Sequence, residues 1–335
     1  MPIRTAPDLQ FNDPMLTRTA LGYEVVRYPY GFPARIRSNS QVIMEAADVS
    51  WGACRQRFDV APVEIRLLVS DSESPGCREA PFFRSQGHLI SIAGDSENFA
   101  VLDLRSGFSF GWVTKNTAEN TGYLRQCFLD VMVYPLLETR YMATVHAACV
   151  NLNGKGVLLA GDSGAGKSSL AYACARRGWT YVSDDTSAFV RAAPRPLVIG
   201  QPQKFRFRET AGELFPEFRG RTATVRTYGR PGIEVRTNTL EGLRTADQST
   251  IDYMVFLNRP GYEGGAAELL ALSPEAAWQQ LRKSLWEVQV PEFEERHEAL
   301  RRLLAVPAWE LRYADLDDAI ALLHHLVAGN VNGHH

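Results

Sequence analysis

Gly161 to Ser169 constrain this chain more tightly than any other stretch, reading GDSGAGKSS with glycines at 161, 164 and 166 and Lys167 and Ser168 directly after the last of them. The pattern GxxxxGK[ST] carries weight only between a strand and a helix. Here a strand-like GVLLA precedes it, and a helical pattern from about Lys167 to Arg177 follows, stopping at Gly178. Glycines let the backbone curl so that the N–H groups of the loop (Gly161, Asp162, Ser163, Gly164, Ala165, Gly166, Lys167, Ser168 and Ser169) face one concavity and bind phosphate oxygens, aided by the helix dipole. Lys167 adds a mobile charge for the β and γ phosphates, and the Ser168 hydroxyl is the expected Mg²⁺ ligand. ATP and Mg²⁺ are therefore the expected ligands. A turn that merely joins strand to helix has no need of Lys and Ser at its end.

A phosphate loop needs a carboxylate for the metal and, in a transferase, a base. Asp184 and Asp185 follow the strand-like WTYVS and are expected at the end of a neighbouring strand. One can hold Mg²⁺ and the other accept a proton from an attacking hydroxyl; Asp185 is paired with Ser168 as the metal set, and the division of labour between the two stays open. An aspartate pair in a solvated turn ordinarily caps a helix, and only its short distance from the loop favours catalysis. His146 is expected within the strand of ATVHAACVNL, facing the same side as Thr144 and Ala148; a lone strand histidine is usually a satisfied core residue. The turn NGKG (153 to 156) is expected to close a hairpin onto VLLA. Of Arg206, Arg208, Arg230 and Arg236, at least one is expected to reach the site.

The string from Val145 through Asp185, VHAACVNLNGKGVLLAGDSGAGKSSLAYACARRGWTYVSDD, resembles the catalytic core of the HPr kinase/phosphorylase family, bacterial serine kinases. The parts keep the family's order: a histidine-bearing strand, GDSGxGKS, a helix ending Arg177-Gly178, and an aspartate pair. The resemblance implies an α/β fold with a P-loop kinase core of the HPr kinase/phosphoenolpyruvate carboxykinase type. It also implies catalytic roles for Lys167, for His146 near the reacting phosphate, and for one of Asp184 and Asp185 as base toward a serine hydroxyl. An EIRG-type signature carried by bifunctional members is absent, PGIEVRT (231 to 237) being a distant echo. The first 118 residues do not resemble the family's usual N-terminal domain. The chain looks more like those relatives that phosphorylate other targets, so a protein, a peptide or a small hydroxylated molecule is the expected acceptor. Related kinases assemble as rings, which implies a homo-oligomer.

The remaining sequence sets bounds. A length of 335 residues suggests two domains, expected as a β-rich region at 1–118, with strands near 63–70, 88–94 and 99–113, and a catalytic domain at 119–330. The latter is expected to open with a helix over 119–140, kinked or broken near Pro135, and to carry strands near 196–200, 204–208, 233–237 and 253–257. Two helices, starting at Ser273 and near Asp315, are expected to close it. Thirty-six basic against 38 acidic residues give no footprint for nucleic acid or an anionic membrane. Five scattered cysteines lack metal spacing and, with no apolar signal segment, point to a cytoplasmic protein. Two rival readings are a P-loop ATPase and a nucleotide-sensing scaffold. A GTPase would need NKxD, and the nearest string is NRPG (258 to 261).

Overall fold

The computed structural model describes residues 19–224, 231–259, 265–283 and 294–329. It divides into two compact units, Met1–Leu137 and Glu138–His335, so the division falls near the end of the helical stretch, within its last helix, rather than at residue 118. The reason lies in burial: Leu124, Phe128, Met132, Leu136 and Leu137 are fully buried, and most of this helical stretch is core to the first unit.

In the first unit, strands β1 (Tyr23–Arg27), β2 (Ala34–Ser38), β3 (Val63–Ser70), β4 (Phe82–Gln86), β5 (Leu89–Ala93), β6 (Phe99–Asp103) and β7 (Phe108–Thr114) form one sheet in the order β1-β2-β3-β7-β6-β5-β4. Helix α1 (Gln41–Trp51) makes the crossover that the parallel β2–β3 pair requires. After β7 come α2 (Lys115–Glu119), α3 (Thr121–Leu124), a π-helical turn at Arg125–Leu129 and α4 (Asp130–Arg140). Of the kink or break expected near Pro135, the break does not occur, since α4 runs through it. A proline inside a helix costs about 3 kcal/mol, and burying Met132, Val133, Leu136 and Leu137 at about 1.5–3 kcal/mol each outweighs that.

The second unit is a mixed α/β unit. Its elements are β8 (Met142–Val145), β9 (Ala147–Leu152), β10 (Lys155–Ala160), α5 (Lys167–Arg176), β11 (Thr180–Ser183), β12 (Ser187–Val190), β13 (Leu197–Ile199), β14 (Lys204–Phe207), α6 (Ala211–Leu214), β15 (Ile233–Arg236), β16 (Arg244–Thr245), β17 (Gln248–Asn258), β18 (Glu268–Leu272), α7 (Pro274–Arg282), α8 (Glu294–Arg301), β19 (Ala308–Arg312) and α9 (Leu316–Ala328). The large sheet runs β16-β11-β9-β10-β17-β13-β12-β8, with β19 on β17 and β18 on β19. Strands β14 and β15 form a separate ribbon. The turn at Asn153-Gly154 closes the expected hairpin, with φ of 52° and 85°, the positive values a two-residue hairpin turn demands. Helix α7 starts on its Ser273 cap, whose hydroxyl accepts the Ala276 N–H, and α8 is a helix the sequence pattern had not suggested.

Strand β10 is apolar on both faces because both are covered. Val157 and Leu159 pack with residues of α5 and α9, whereas Leu158 and Ala160 pack with residues of α7 and the segment after α8. Tyr172 on α5 ties the ribbon to the helix: its ring lies 5.3, 5.4, 4.8 and 5.0 Å from those of Phe205, Phe207, Phe215 and Phe218. Among the described residues no helix is long and apolar enough to cross a membrane, and all five cysteines are free thiols.

Candidate active site

One edge of the large sheet gathers the chemistry. Strand β10 ends at Ala160, in register with Ala147 at the start of antiparallel β9, and Ser183 at the end of β11 pairs with Cys149. Parallel β17 and β19 end at the same edge, where open α/β sheets place their ligands. Strand β11 is not adjacent to β10, as β9 lies between them. The aspartates thus reach the glycine loop across one intervening strand.

His146 is not inside a strand. Strand β8 pairs with β12 while β9 pairs with β10 and β11, so the chain changes partners at His146 and that residue leaves the ladder. Its Nδ1 is 2.8 Å from the Asp185 carbonyl oxygen and 3.2 Å from Asp185 Oδ1. A carbonyl oxygen only accepts, which assigns the proton to Nδ1 and leaves Nε2 as an acceptor. Burial lowers the His146 pKa, and the Lys167 charge lowers it further against the opposing pull of Asp185. Both effects favour the neutral imidazole.

Lys167 is buried, and its ammonium donates to the carbonyl oxygens of Gly161 at 2.7 Å and Asp162 at 3.2 Å. It folds back over the start of the loop. Burial lowers its pKa, Asp185 and Asp162 raise it, and Arg208 opposes them. These mutual fields place His146, Lys167, Asp185 and Arg208 in one electrostatic neighbourhood.

The two aspartates differ sharply. Asp185 is exposed, whereas Asp184 is buried, with Oδ2 accepting the backbone N–H of Arg206 at 2.6 Å. Burial pushes the Asp184 pKa up to about 7; the Arg206 N–H opposes the shift and the Asp185 charge reinforces it. That value lies where a base works best near neutral pH.

The four candidate arginines separate. Arg206 pairs with Glu234 at 2.8 Å while its backbone holds Asp184. Arg208 Nη2 donates to the Ser163 hydroxyl at 3.1 Å, so it is the one whose side chain meets the loop. Arg236 is exposed at the end of β15, and Arg230 lies outside the described residues. Tyr313, just past β19, donates its hydroxyl to Ala165 O at 3.3 Å, and Arg259 lies over its ring at 6.0 Å. Sequence reasoning passed over both. Their only signal was position, immediately after the apolar strands ending at 258 and 312.

Ser168, half-buried at the start of α5, and exposed Asp185 supply hard oxygen donors. Among the described residues no group of three or more His, Cys, Asp or Glu is arranged to cage a metal. This donor set fits Mg²⁺, which takes one or two protein oxygens and completes its shell from phosphates and water.

Comparison with known proteins falls on this same stretch. The family model HPr Serine kinase C-terminal domain matches residues 139–208. HPr kinase/phosphorylases of Burkholderia lata and Burkholderia cenocepacia are each 48% identical over 52 residues, 16% of this chain and 16% of theirs. The matched segment thus spans about a sixth of the length of those relatives. The structure of the Hpr(Ser) kinase/phosphatase from Coxiella burnetii aligns with 56% of this chain and 98% of its own at 14% identity and a TM-score of 0.33. Over the segment that holds His146, the glycine loop and the aspartate pair, this chain is similar to the HPr Serine kinase C-terminal domain.

Proposed function

We propose that the second unit is an ATP-dependent kinase that moves a γ-phosphoryl group to a hydroxyl, serine in a protein or peptide being the favoured acceptor and a small hydroxylated molecule the alternative. The observation that carries the reading is the meeting of three features at one sheet edge: a glycine loop closed by Lys167, a neutral His146, and a buried carboxyl with a pKa of about 7 beside an exposed one.

In this reading the N–H groups of Gly161 to Ser169 and the Lys167 ammonium hold the β and γ phosphates. Ser168 and Asp185 would hold Mg²⁺, which would neutralise charge on the phosphates. Asp184, ionised, takes the proton of the acceptor hydroxyl as that oxygen forms its bond to the γ phosphorus and the bond to the β–γ bridging oxygen breaks, leaving ADP. His146 lies beside the acceptor with Nε2 available as a hydrogen-bond acceptor, its tautomer fixed by the Asp185 carbonyl.

The test is the fate of γ-labelled ATP incubated with the protein, purified HPr and a cell lysate. Label on a protein, peptide or metabolite supports the kinase. Free labelled phosphate alone would replace it with an ATPase, and unchanged ATP with a sensor. Asp184→Asn and Asp185→Asn should abolish transfer while leaving nucleotide binding in place, and unaltered transfer in both would remove the aspartates from the mechanism.

A further inference from the structure

Resting on that reading, we propose that Arg208 is a further catalytic residue: a guanidinium supplied by the chain itself that contacts the γ-phosphoryl group and stabilises the charge on it during transfer. It sits at the end of the β14–β15 ribbon, directly after Phe207, and reaches the loop from outside the strand-loop-helix unit.

Four observations carry this. The first is contact: Arg208 Nη2 donates to Ser163 Oγ at 3.1 Å. Close approach comes second. A Cβ added to Gly164, where φ is +97°, would lie 2.9 Å from both Nη1 and Nη2 of Arg208, so the absence of a side chain at 164 makes room for the guanidinium as well as for the turn. The third is side: Lys167 is turned onto Gly161 O and Asp162 O, the start of the loop, and Ser163 is the next residue. The lysine ammonium and the arginine thus stand at the same end of the loop, where the β and γ phosphates meet lysine in loops of this pattern.

The fourth is charge. Arg206 pairs with Glu234, Arg176 with Glu217, Arg177 with Asp317 and Arg195 with Asp252. Among the described residues Arg208 has no carboxylate within ion-pair distance, and its side chain bonds to a neutral hydroxyl instead. A guanidinium stays charged at every relevant pH and presents a fork matched to phosphate oxygens. Held at a phosphate loop without a counter-ion, it is set to exchange a hydroxyl for a phosphate.

The same short strand sets both groups. The backbone N–H of Arg206 fixes Asp184 and the side chain two residues on meets the loop. Phe205 and Phe207, buried on Tyr172 of α5, fix the strand against the helix that carries Lys167. Base, cation and loop are thereby locked to one another. In the kinase step the acceptor oxygen bonds to the γ phosphorus, the β–γ bridge leaves with ADP, the proton passes to Asp184, and Arg208 donates hydrogen bonds without being altered.

The experiment compares wild type with Arg208→Ala and Arg208→Lys, reading steady-state transfer and the affinities for ADP and a non-hydrolysable ATP analogue. Expected for Arg208→Ala is a fall in kcat of about 10³-fold, loss of preference for the ATP analogue over ADP, an ADP affinity within about twofold of wild type, and partial rescue by free guanidinium; Arg208→Lys should recover little, lacking the fork. Retention by Arg208→Ala of both the wild-type rate and the wild-type preference for the ATP analogue would overturn the assignment of Arg208 alone. Wild-type protein that binds neither nucleotide would instead overturn the phosphate-loop reading, and the arginine with it.

Discussion

Two aspartates, one in each unit, show how differently the halves of this molecule use a carboxyl group. In the first unit Asp95 receives Glu97 N, Asn98 N and Asn98 Nδ2 on Oδ1, and Asn98 Nδ2 and Cys77 Sγ on Oδ2, all between 2.8 and 3.0 Å. Burial of its inner side pushes its pKa up, but those donors outweigh it, and the pKa falls below the ordinary value. In the second unit buried Asp184 accepts the Arg206 N–H and has a negative neighbour in Asp185; burial outweighs its donors, Tyr181 among them, and takes its pKa to about 7. Donors that outweigh burial hold a carboxyl ionised, whereas burial that outweighs its donors leaves a carboxyl that titrates near neutral pH. The same contrast explains why Cys77, with its thiol pushed up to about 12 by burial and by Asp95, belongs to the architecture.

The comparison breaks most visibly in activity. Asp184→Asn should lower phosphoryl transfer by about 10²–10⁴-fold, and Asp95→Asn should leave it unchanged, both read with γ-labelled ATP. A transfer defect in the Asp95 variant would erase the distinction.

The pH dependence should have opposite signs at the two sites. Asp184 has its folded pKa raised, so its contribution to stability is fully present below 3.8 and is lost as pH rises toward about 7. Asp95 has its folded pKa lowered, so its contribution is present above 3.8 and is lost as pH falls through the folded value. Denaturant unfolding from about pH 3.5 to about pH 8 should thus show Asp184→Asn gaining on wild type with rising pH, and Asp95→Asn losing. Initial rates of transfer should rise through an apparent pKa near 7; a flat profile would remove Asp184 as the base.

Stability sharpens the contrast further. Asn98 is fully buried, bonding Asp95 through Nδ2 and taking the Thr114 N–H at 2.9 Å on Oδ1. Asn98→Ala leaves that buried N–H unpaired, and about 1–3 kcal/mol should be lost in urea unfolding, with transfer unaffected. The smallest effect belongs to the hairpin turn. Gly154 has open space around it but φ of +85°, so Gly154→Ala should cost about 1 kcal/mol from backbone conformation alone, again without loss of transfer.

Where sequence pattern and three-dimensional outcome agree, the information is local. The loop, the Asn153-Gly154 turn, the helix ending at Arg176 and the Ser273 cap are each written within a few adjacent residues, because turns, caps and dipoles act over one or two turns of chain. His146 departed from its expected strand because β8 and β9 take different partners, and Pro135 failed to break α4 because its neighbours are buried. Both outcomes were decided by pairing and packing across long sequence separations.

By itself the sequence determined that a glycine loop would stand between a strand and a helix, with an acidic pair close behind it. Only the tertiary structure put β9 between β10 and β11, buried Asp184 under the Arg206 amide while leaving Asp185 in solvent, and selected Arg208 from four similar arginines to meet Ser163. The physical reason is that a glycine loop is specified by backbone freedom, a property each residue carries with it. The burial of a carboxyl and the reach of a guanidinium depend on which distant strands pack beside them.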